Sequence, residues 1–282
     1  MKLYKIDTGN FKLDGGAMFG VVPKTLWSKV YPADENNLCN LSMRCLLIDT
    51  GGRKILIDTG IGNKQSDKFF SYYYLNGNHS LEASLHAVQI TPADITDVIL
   101  THLHFDHCGG AVIKNTSGNF TPAFPNAAYW VGKQQWEWAL EPNQREKSSF
   151  LKENFECLQK EGKLRFINKE RHFCNGINLK FYNGHSQGMM VPFIEFHNRT
   201  LVFMADLIPT GAHIPESWIC GFDTQPLISM KERKQFLTEA LKKQYILFFE
   251  HDIQTECCTV KETEKGIRMD RSFAFEEIEN LT

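Results

Sequence analysis

Thr101-His102-Leu103-His104-Phe105-Asp106-His107 places three histidines and one aspartate within six residues, directly after the apolar run Val98-Ile99-Leu100. A short apolar run bounded by polar residues reads as a buried strand. In an extended segment side chains alternate, so His102 and His104 point to the same side. A turn after His104 brings Asp106 and His107 to face that space as well. Gly109 and Gly110 come next and permit tight backbone conformations. Imidazole and carboxylate are ligands of zinc and similar divalent ions. The bland alternative, a surface loop with chance histidines, is weakened because the cluster follows a buried strand, where polar groups need a purpose.

Further ligand candidates lie at the ends of other expected strands. His185 follows Phe181-Tyr182-Asn183-Gly184, Asp206 follows Leu201-Val202-Phe203-Met204-Ala205, and His251 follows Ile246-Leu247-Phe248-Phe249-Glu250. Each sits just past an apolar run, on a loop that a rigid sheet can position. Singly, each is more often a structural polar residue. With the first cluster they form a set of five histidines and two aspartates.

Around these motifs short β-type runs alternate with helical stretches. Leu41–Asp49 and Lys54–Asp58 read as a hairpin about Gly51-Gly52, and Ser80–Val88 as a helix capped by Ser80. Tyr129–Val131, Leu164–Ile167, Asn178–Tyr182, Val191–Phe196, Thr200–Met204 and Tyr245–Phe249 read as strands, the last being the final one. Gln134–Leu140, Phe150–Gln159 and Lys231–Lys243 read as helices. Strands interleaved with helices suggest two packed sheets flanked by helices, an α+β arrangement, in a single domain over residues 1–282.

Composition narrows the function. The chain has 282 residues, 12% aromatics and a formal net charge of −2. It can bury a sizeable core without staples, and intrinsic disorder is excluded. The charge argues against a partner such as nucleic acid that needs a broad basic surface. Eight scattered cysteines with no Cys-x-x-Cys pair suit free thiols in a reducing cytoplasm. The N-terminus makes a poor secretory signal, and no apolar run is long enough to span a bilayer.

Taken in order, Leu56-Ile57-Asp58-Thr59-Gly60, the His102–His107 block, Gly184-His185-Ser186, Ala205-Asp206 and Phe249-Glu250-His251-Asp252 resemble the metallo-β-lactamase-fold hydrolases over nearly the whole chain. The resemblance implies a four-layer αββα sandwich and a dinuclear centre. It implies His102, His104 and His185 on one metal, and Asp106, His107 and His251 on the other, with Asp206 bridging. Asp58 resembles the family's aspartate that orients a ligand histidine; alternatively it is a turn carboxylate before Gly60. Zinc is the default metal, with iron, manganese and cobalt able to use the same ligands. Two such cations about 3.5–4 Å apart share a hydroxide near neutral pH that attacks a carbonyl or phosphorus. The resemblance implies that Asp106 also passes a proton to the leaving group, making it the catalytic residue. Cys108, beside the cluster, reads as a small packing residue.

Within the family the resemblance is to the branch of quorum-quenching lactonases and organophosphate-hydrolase-like enzymes, through Thr101–Gly110, Val22–Trp27 and Leu247–Asp252. Two departures stand out. Met190 stands where many relatives have a histidine, and Asp206-Leu207-Ile208-Pro209 lacks the tyrosine that follows the bridging aspartate in acyl-homoserine lactonases. The expected reaction is the opening of small esters or lactones, with phosphotriester or phosphodiester hydrolysis as the alternative. A diiron redox protein or an inert metal binder is a more distant one. Phe19, Phe105, His213, Trp218 and Phe222 are candidates for an apolar substrate pocket, although such residues are more often core. His79, His86, His172 and His197 show no partner pattern. A homodimer is expected on general grounds.

Overall fold

The computed structural model describes residues 1–174 and 176–280. In chain order the strands are β1 (Lys2–Asp14), β2 (Leu38–Asp49), β3 (Lys54–Ile57), β4 (Asp97–Ile99), β5 (Val112–Lys114), β6 (Phe120–Pro122), β7 (Ala128–Gly132), β8 (Leu164–Ile167), β9 (Arg171–Cys174), β10 (Ile177–Tyr182), β11 (Met189–Phe196), β12 (Arg199–Phe203), β13 (Ile246–Phe248), β14 (Cys257–Thr263) and β15 (Gly266–Phe273). The helices are α1 (Gly15–Phe19), α2 (Lys24–Trp27), α3 (Asp67–Ser71), α4 (Leu81–Ala87), α5 (Phe105–Cys108), α6 (Lys133–Leu140), α7 (Glu156–Lys160) and α8 (Pro226–Lys243). Internal contacts divide the chain into two units, Met1–Phe11 with Met43–Lys169, and Lys12–Ser42 with Glu170–Thr282.

The first unit is built on a sheet of order β1-β2-β3-β4-β7-β8. The expected hairpin is present: β2 and β3 pair antiparallel, Leu46 opposite Ile57 and Asp49 opposite Lys54. β3, β4, β7 and β8 then run parallel. Parallel strands are covered on both faces, which is why Ile55-Leu56-Ile57 and Val98-Ile99-Leu100 are unbroken apolar runs rather than alternating ones. Their side chains join Tyr129, Val131, Trp136 and Phe155 among the buried residues. Each large apolar side chain so buried contributes roughly 1.5–3 kcal/mol.

The continuous helix expected over Phe150–Gln159 is not formed. A 3-10 turn at Lys152–Asn154 precedes α7, and Phe155 between them has φ −144° and ψ −25°. Two buried side chains account for the break. Asn154 turns inward, where its Oδ1 accepts from Gln65 Nε2 at 2.8 Å. Phe155 lies edge-on to Trp136 at 5.5 Å. A regular helix would not send consecutive residues to both partners.

The second unit carries a sheet of order β15-β14-β13-β12-β11-β10-β9. β12 and β13 are parallel, with Leu201 opposite Ile246 and Phe203 opposite Phe248. α8 starts at Pro226, earlier than the expected Lys231, with proline in its first turn. It packs on the sheet through Phe236, whose ring lies 6.1 Å from that of Phe193. Tyr245–Phe249 is not the last strand. β14 and β15 follow as an antiparallel hairpin. β15, Gly-Ile-Arg-Met-Asp-Arg-Ser-Phe, is a sheet edge, and its charges suit an edge that must resist pairing with other chains. That polarity hides it from a search for apolar runs, as the lysines and aspartates of β1 hide that strand. Among the described residues no helix is long and apolar enough to cross a membrane.

Candidate metal centre

In the first unit the histidine cluster begins where β4 ends. Leu100 N donates to Trp130 O at 2.9 Å, closing the ladder to β7. The chain then leaves the sheet under the control of Asp58, which follows β3. Asp58 Oδ1 accepts from Thr101 N at 2.8 Å and Oδ2 from Thr101 Oγ1 at 2.6 Å. Asp58 Oδ2 also lies 3.1 Å from His107 Nδ1. The carboxylate has no proton to give in these contacts, so His107 donates from Nδ1 and presents its Nε2 lone pair. Asp58 therefore contacts both ends of the block, Thr101 and His107.

The other two histidines follow the same logic. Thr101 Oγ1 spends its proton on Asp58 and accepts from His102 Nδ1 at 3.1 Å, which leaves His102 Nε2 as an acceptor. His104 Nε2 lies 2.8 Å from Glu146 Oε1, which leaves Nδ1 as the acceptor. Those two nitrogens, His102 Nε2 and His104 Nδ1, lie 3.0 Å apart. All four residues of the block are buried. Asp106 is in α5, with Oδ2 3.8 Å from His107 Nε2.

Gly109 has an ordinary φ of −59°, so its role differs from the conformational freedom expected of it. A Cβ at Gly109 would collide with the backbone carbonyl of Ile61, and one at Gly110 with that of Thr59. Close approach of two chain segments requires these glycines. Lys64 Nζ, half-buried here, donates to Gly109 O on the same segment. Cys108 packs as expected: its Sγ donates to Leu103 O at 3.3 Å, and burial pushes the thiol up to about 12.

In the second unit the candidates come from separate strand ends. Phe203 and Phe248 are register partners in β12 and β13. Asp206 and His251 each follow three residues later. Equal offsets beyond a parallel pair bring them side by side, with His251 Nε2 3.2 Å from Asp206 Oδ1. His185 lies in the turn between β10 and β11, with Nε2 3.0 Å from Asp206 Oδ2. Its far nitrogen, Nδ1, is 2.9 Å from Asp223 Oδ1, and that of His251 is 2.8 Å from Ser42 O. Burial alone would pull the His185 imidazole down, but Asp206 and Asp223 outweigh it and raise its pKa to about 10. The turn is held by Glu232 of α8, which accepts from Asn183 N at 2.9 Å and Gly184 N at 3.0 Å.

All five histidines thus have one nitrogen fixed by a protein acceptor, the usual preparation of a metal-ligating imidazole. The two oxygens of Asp206 face different imidazoles, as suits a carboxylate that can span two cations. Imidazoles with carboxylates make a donor set suited to divalent metals, zinc foremost. Glu146, Asp223 and the Ser42 carbonyl were not visible from sequence. Glu146 lies 42 residues from His104 and Asp223 38 from His185, and neither belongs to a motif.

The pocket candidates fall into different surroundings. Phe105 is buried, its ring 4.6 Å from Tyr73 and 5.4 Å from Phe69. Phe19 is 1% exposed, stacked between Trp27 at 4.9 Å and His213 at 4.5 Å, with Trp218 edge-on at 6.1 Å. His213 is enclosed too. Its Nε2 donates to Met18 O at 3.0 Å, its Nδ1 lies 2.7 Å from Thr210 Oγ1, and burial lowers its pKa to about 4. Phe222 is 40% exposed. His79, His86, His172 and His197 are exposed, in keeping with their reading as ordinary residues.

Comparison with known proteins agrees with this arrangement. Residues 44–251 match the family model described as the metallo-beta-lactamase superfamily. The chain is 27% identical to the N-acyl homoserine lactonase of Bacillus cereus, covering 90% of this chain and 94% of that protein. Among solved structures it is similar to "a probable metal-dependent hydrolase from Staphylococcus aureus", with TM-score 0.87 and 34% identity over 98% of this chain and 97% of that one. It shares a fold with AidC, a dizinc quorum-quenching lactonase solved with a product, at TM-score 0.80 and 23% identity over 96% and 95% of the two chains. The α+β class read from the sequence holds, the fold is that of the metallo-β-lactamases, and the chain belongs to the metallo-β-lactamase superfamily.

Proposed function

We propose that this protein is a dinuclear-metal hydrolase that opens small lactones and esters, acyl-homoserine lactones among them. The chain acts as a single catalytic domain over residues 1–282. In this reading His102, His104 and His185 would hold one ion, Asp106, His107 and His251 would hold the other, and Asp206 would serve both. The supporting observation is that each of the five imidazoles has its outer nitrogen tied to a protein acceptor, leaving the other for a cation. The lactonase relatives support the substrate class.

When bound, divalent cations supply Lewis acidity and make water a nucleophile at neutral pH. The chain's residues do the rest. Asp58, Glu146 and Asp223 orient imidazoles. Asp106 is placed to take the proton that the attacking water gives up and to return it to the alkoxide oxygen that leaves as the ring opens. In the second unit Trp218 and Phe222 give apolar surface for an acyl tail, and Phe19 and His213 brace Trp218 through the aromatic stack; in the first unit Phe105 offers apolar surface of its own. The eight cysteines are free, which suits a reducing cytoplasm. With a net charge of −2 the expected partner is a small molecule, with no nucleic acid and a homodimer as the expected assembly.

Zinc-replete protein should carry about two metals per chain and turn over lactones and carboxylic esters in a panel that also contains thioesters and phosphoesters. Phosphotriester turnover without lactone or ester turnover would assign the centre to the other reaction. One metal or none per chain would refute the dinuclear reading.

A further inference from the structure

We infer that Glu146 is a positioning residue that fixes the tautomer and ring orientation of His104, and so sets how tightly one of the two ions is held. The inference rests on the dinuclear reading above. Glu146 is 3% exposed, and its carboxylate meets three side-chain nitrogens. Trp138 Nε1 donates to Oε2 at 2.6 Å, Asn143 Nδ2 donates to the same oxygen at 3.3 Å, and His104 Nε2 lies 2.8 Å from Oε1. Indole and amide nitrogens donate to Oε2, which suits an ionised carboxylate, and an ionised carboxylate accepts on both oxygens. Oε1 then accepts from His104 Nε2–H, and the lone pair of His104 is at Nδ1, the atom facing His102 Nε2 at 3.0 Å.

The surrounding chain is arranged to hold this carboxylate. Asn143 Oδ1 accepts from Glu146 N at 3.1 Å and from Arg145 N at 2.9 Å, fixing the turn that delivers the side chain. Trp138 and Trp136 lie two apart on α6 and therefore face differently. Trp136 fills the core, and Trp138 supplies the N–H. Burying a carboxylate costs several kcal/mol unless donors compensate. Here they do, and the group they protect touches a ligand histidine. The partner of His104 Nε2 is a carboxylate, whereas that of His251 Nδ1 is the Ser42 carbonyl. The donor strength of His104 therefore depends on a charged partner that a substitution can remove.

The test compares zinc-loaded wild type, Glu146→Gln, Glu146→Ala and Trp138→Phe by chelator competition, metal count and imidazole nitrogen NMR. Glu146→Ala is expected to weaken one of the two zinc sites about 10–100-fold, leaving the other near wild type. Glu146→Gln keeps an accepting oxygen and should recover part of the loss with His104 still protonated at Nε2. Trp138→Phe, which leaves the carboxylate in place, should give a smaller shift in the same site. If Glu146→Ala and Glu146→Gln both fold and hold two zinc ions with wild-type affinity, the inference is wrong. If Glu146→Ala fails to fold, wild-type affinity in Glu146→Gln and Trp138→Phe alike overturns it. Failure of wild type itself to bind two zinc ions would instead refute the dinuclear reading.

Discussion

The two units solve the same problem of presenting ligands by opposite means. In the first, His102, His104, Asp106 and His107 come from one loop and the four-residue α5, so sequence adjacency does most of the gathering. In the second, His185, Asp206 and His251 come from three places: the register of β12 and β13 sets Asp206 beside His251, and Glu232 of α8 holds the turn that delivers His185. The local cluster needs outside bracing by Asp58 and Glu146 to fix its rings. The dispersed one is braced as well, by Asp223 and the Ser42 carbonyl on its rings and by Glu232 on the His185 turn. Adjacent ligand candidates announce themselves as one motif, while dispersed ones show only as single residues past separate apolar runs; both kinds lean on distant anchors.

The sharpest way to break this comparison is to remove one ligand from each unit. In the proposed centre Asp206 serves both ions, whereas His102 serves one. Asp206→Ala should lower lactone turnover on the order of a thousandfold, about 4 kcal/mol of transition-state stabilisation. It should also weaken both metals. His102→Ala should weaken one metal and leave the second near its normal affinity. Kinetics with elemental analysis and chelator competition reads both. Loss of a single metal in Asp206→Ala would show that the dispersed ligands do not span the pair.

The same contrast explains what could be read without coordinates. All seven ligand candidates were legible because each follows an apolar run, and Asp58 because it precedes Thr59-Gly60 in a recognisable position. The parallel strands were legible for the same physical reason, since burial on both faces demands continuous apolar residues. β1 and β15 were not, because edge strands carry the charges that a core strand excludes. Glu146 and Asp223 were not, because an acceptor for an imidazole needs only one carboxylate at the right distance. No local spacing encodes that. The broken helix near Phe155 was missed because tertiary partners, Gln65 and Trp136, overrode a good helical pattern.

A smaller effect is expected at the glycines that let each loop lean on neighbouring backbone. A Cβ at Gly109 would meet the Ile61 carbonyl, and one at Gly184 would meet Ser229 on α8, with its Cα at 2.5 Å. Neither glycine has positive φ, so the cost of alanine is overpacking alone, roughly 1–3 kcal/mol. Gly52, with nothing near its Cβ position, is the control and should change by less than about 0.5 kcal/mol. Denaturant unfolding of Gly109→Ala, Gly184→Ala and Gly52→Ala ranks them. Equal stability of all three would mean that both loops can back away from their supports.

The finest distinction lies in backbone strain next to the two carboxylates. Asp58 has φ 57° and Ala205, just before Asp206, has φ 43°. Aspartate tolerates the left-handed region better than most residues, and Asp58 is held there by its long-range bonds to Thr101. Alanine has no such compensation, and the conformation costs it about 1–2 kcal/mol. The parallel register imposes that cost: Met204 N is held by Phe248 O at 2.9 Å, so the chain must turn sharply at Ala205 to aim Asp206 at its two histidines. Glycine at 205 would release the strain but lose about 0.5–1 kcal/mol to the flexibility of the unfolded chain. Ala205→Gly should therefore unfold at equal or slightly higher free energy, by at most about 1 kcal/mol, and turnover should fall less than tenfold as Asp206 loosens. A clear loss of stability would mean that the Ala205 methyl contributes more through burial than the turn costs, and that the dispersed ligands are held by packing as well as by register.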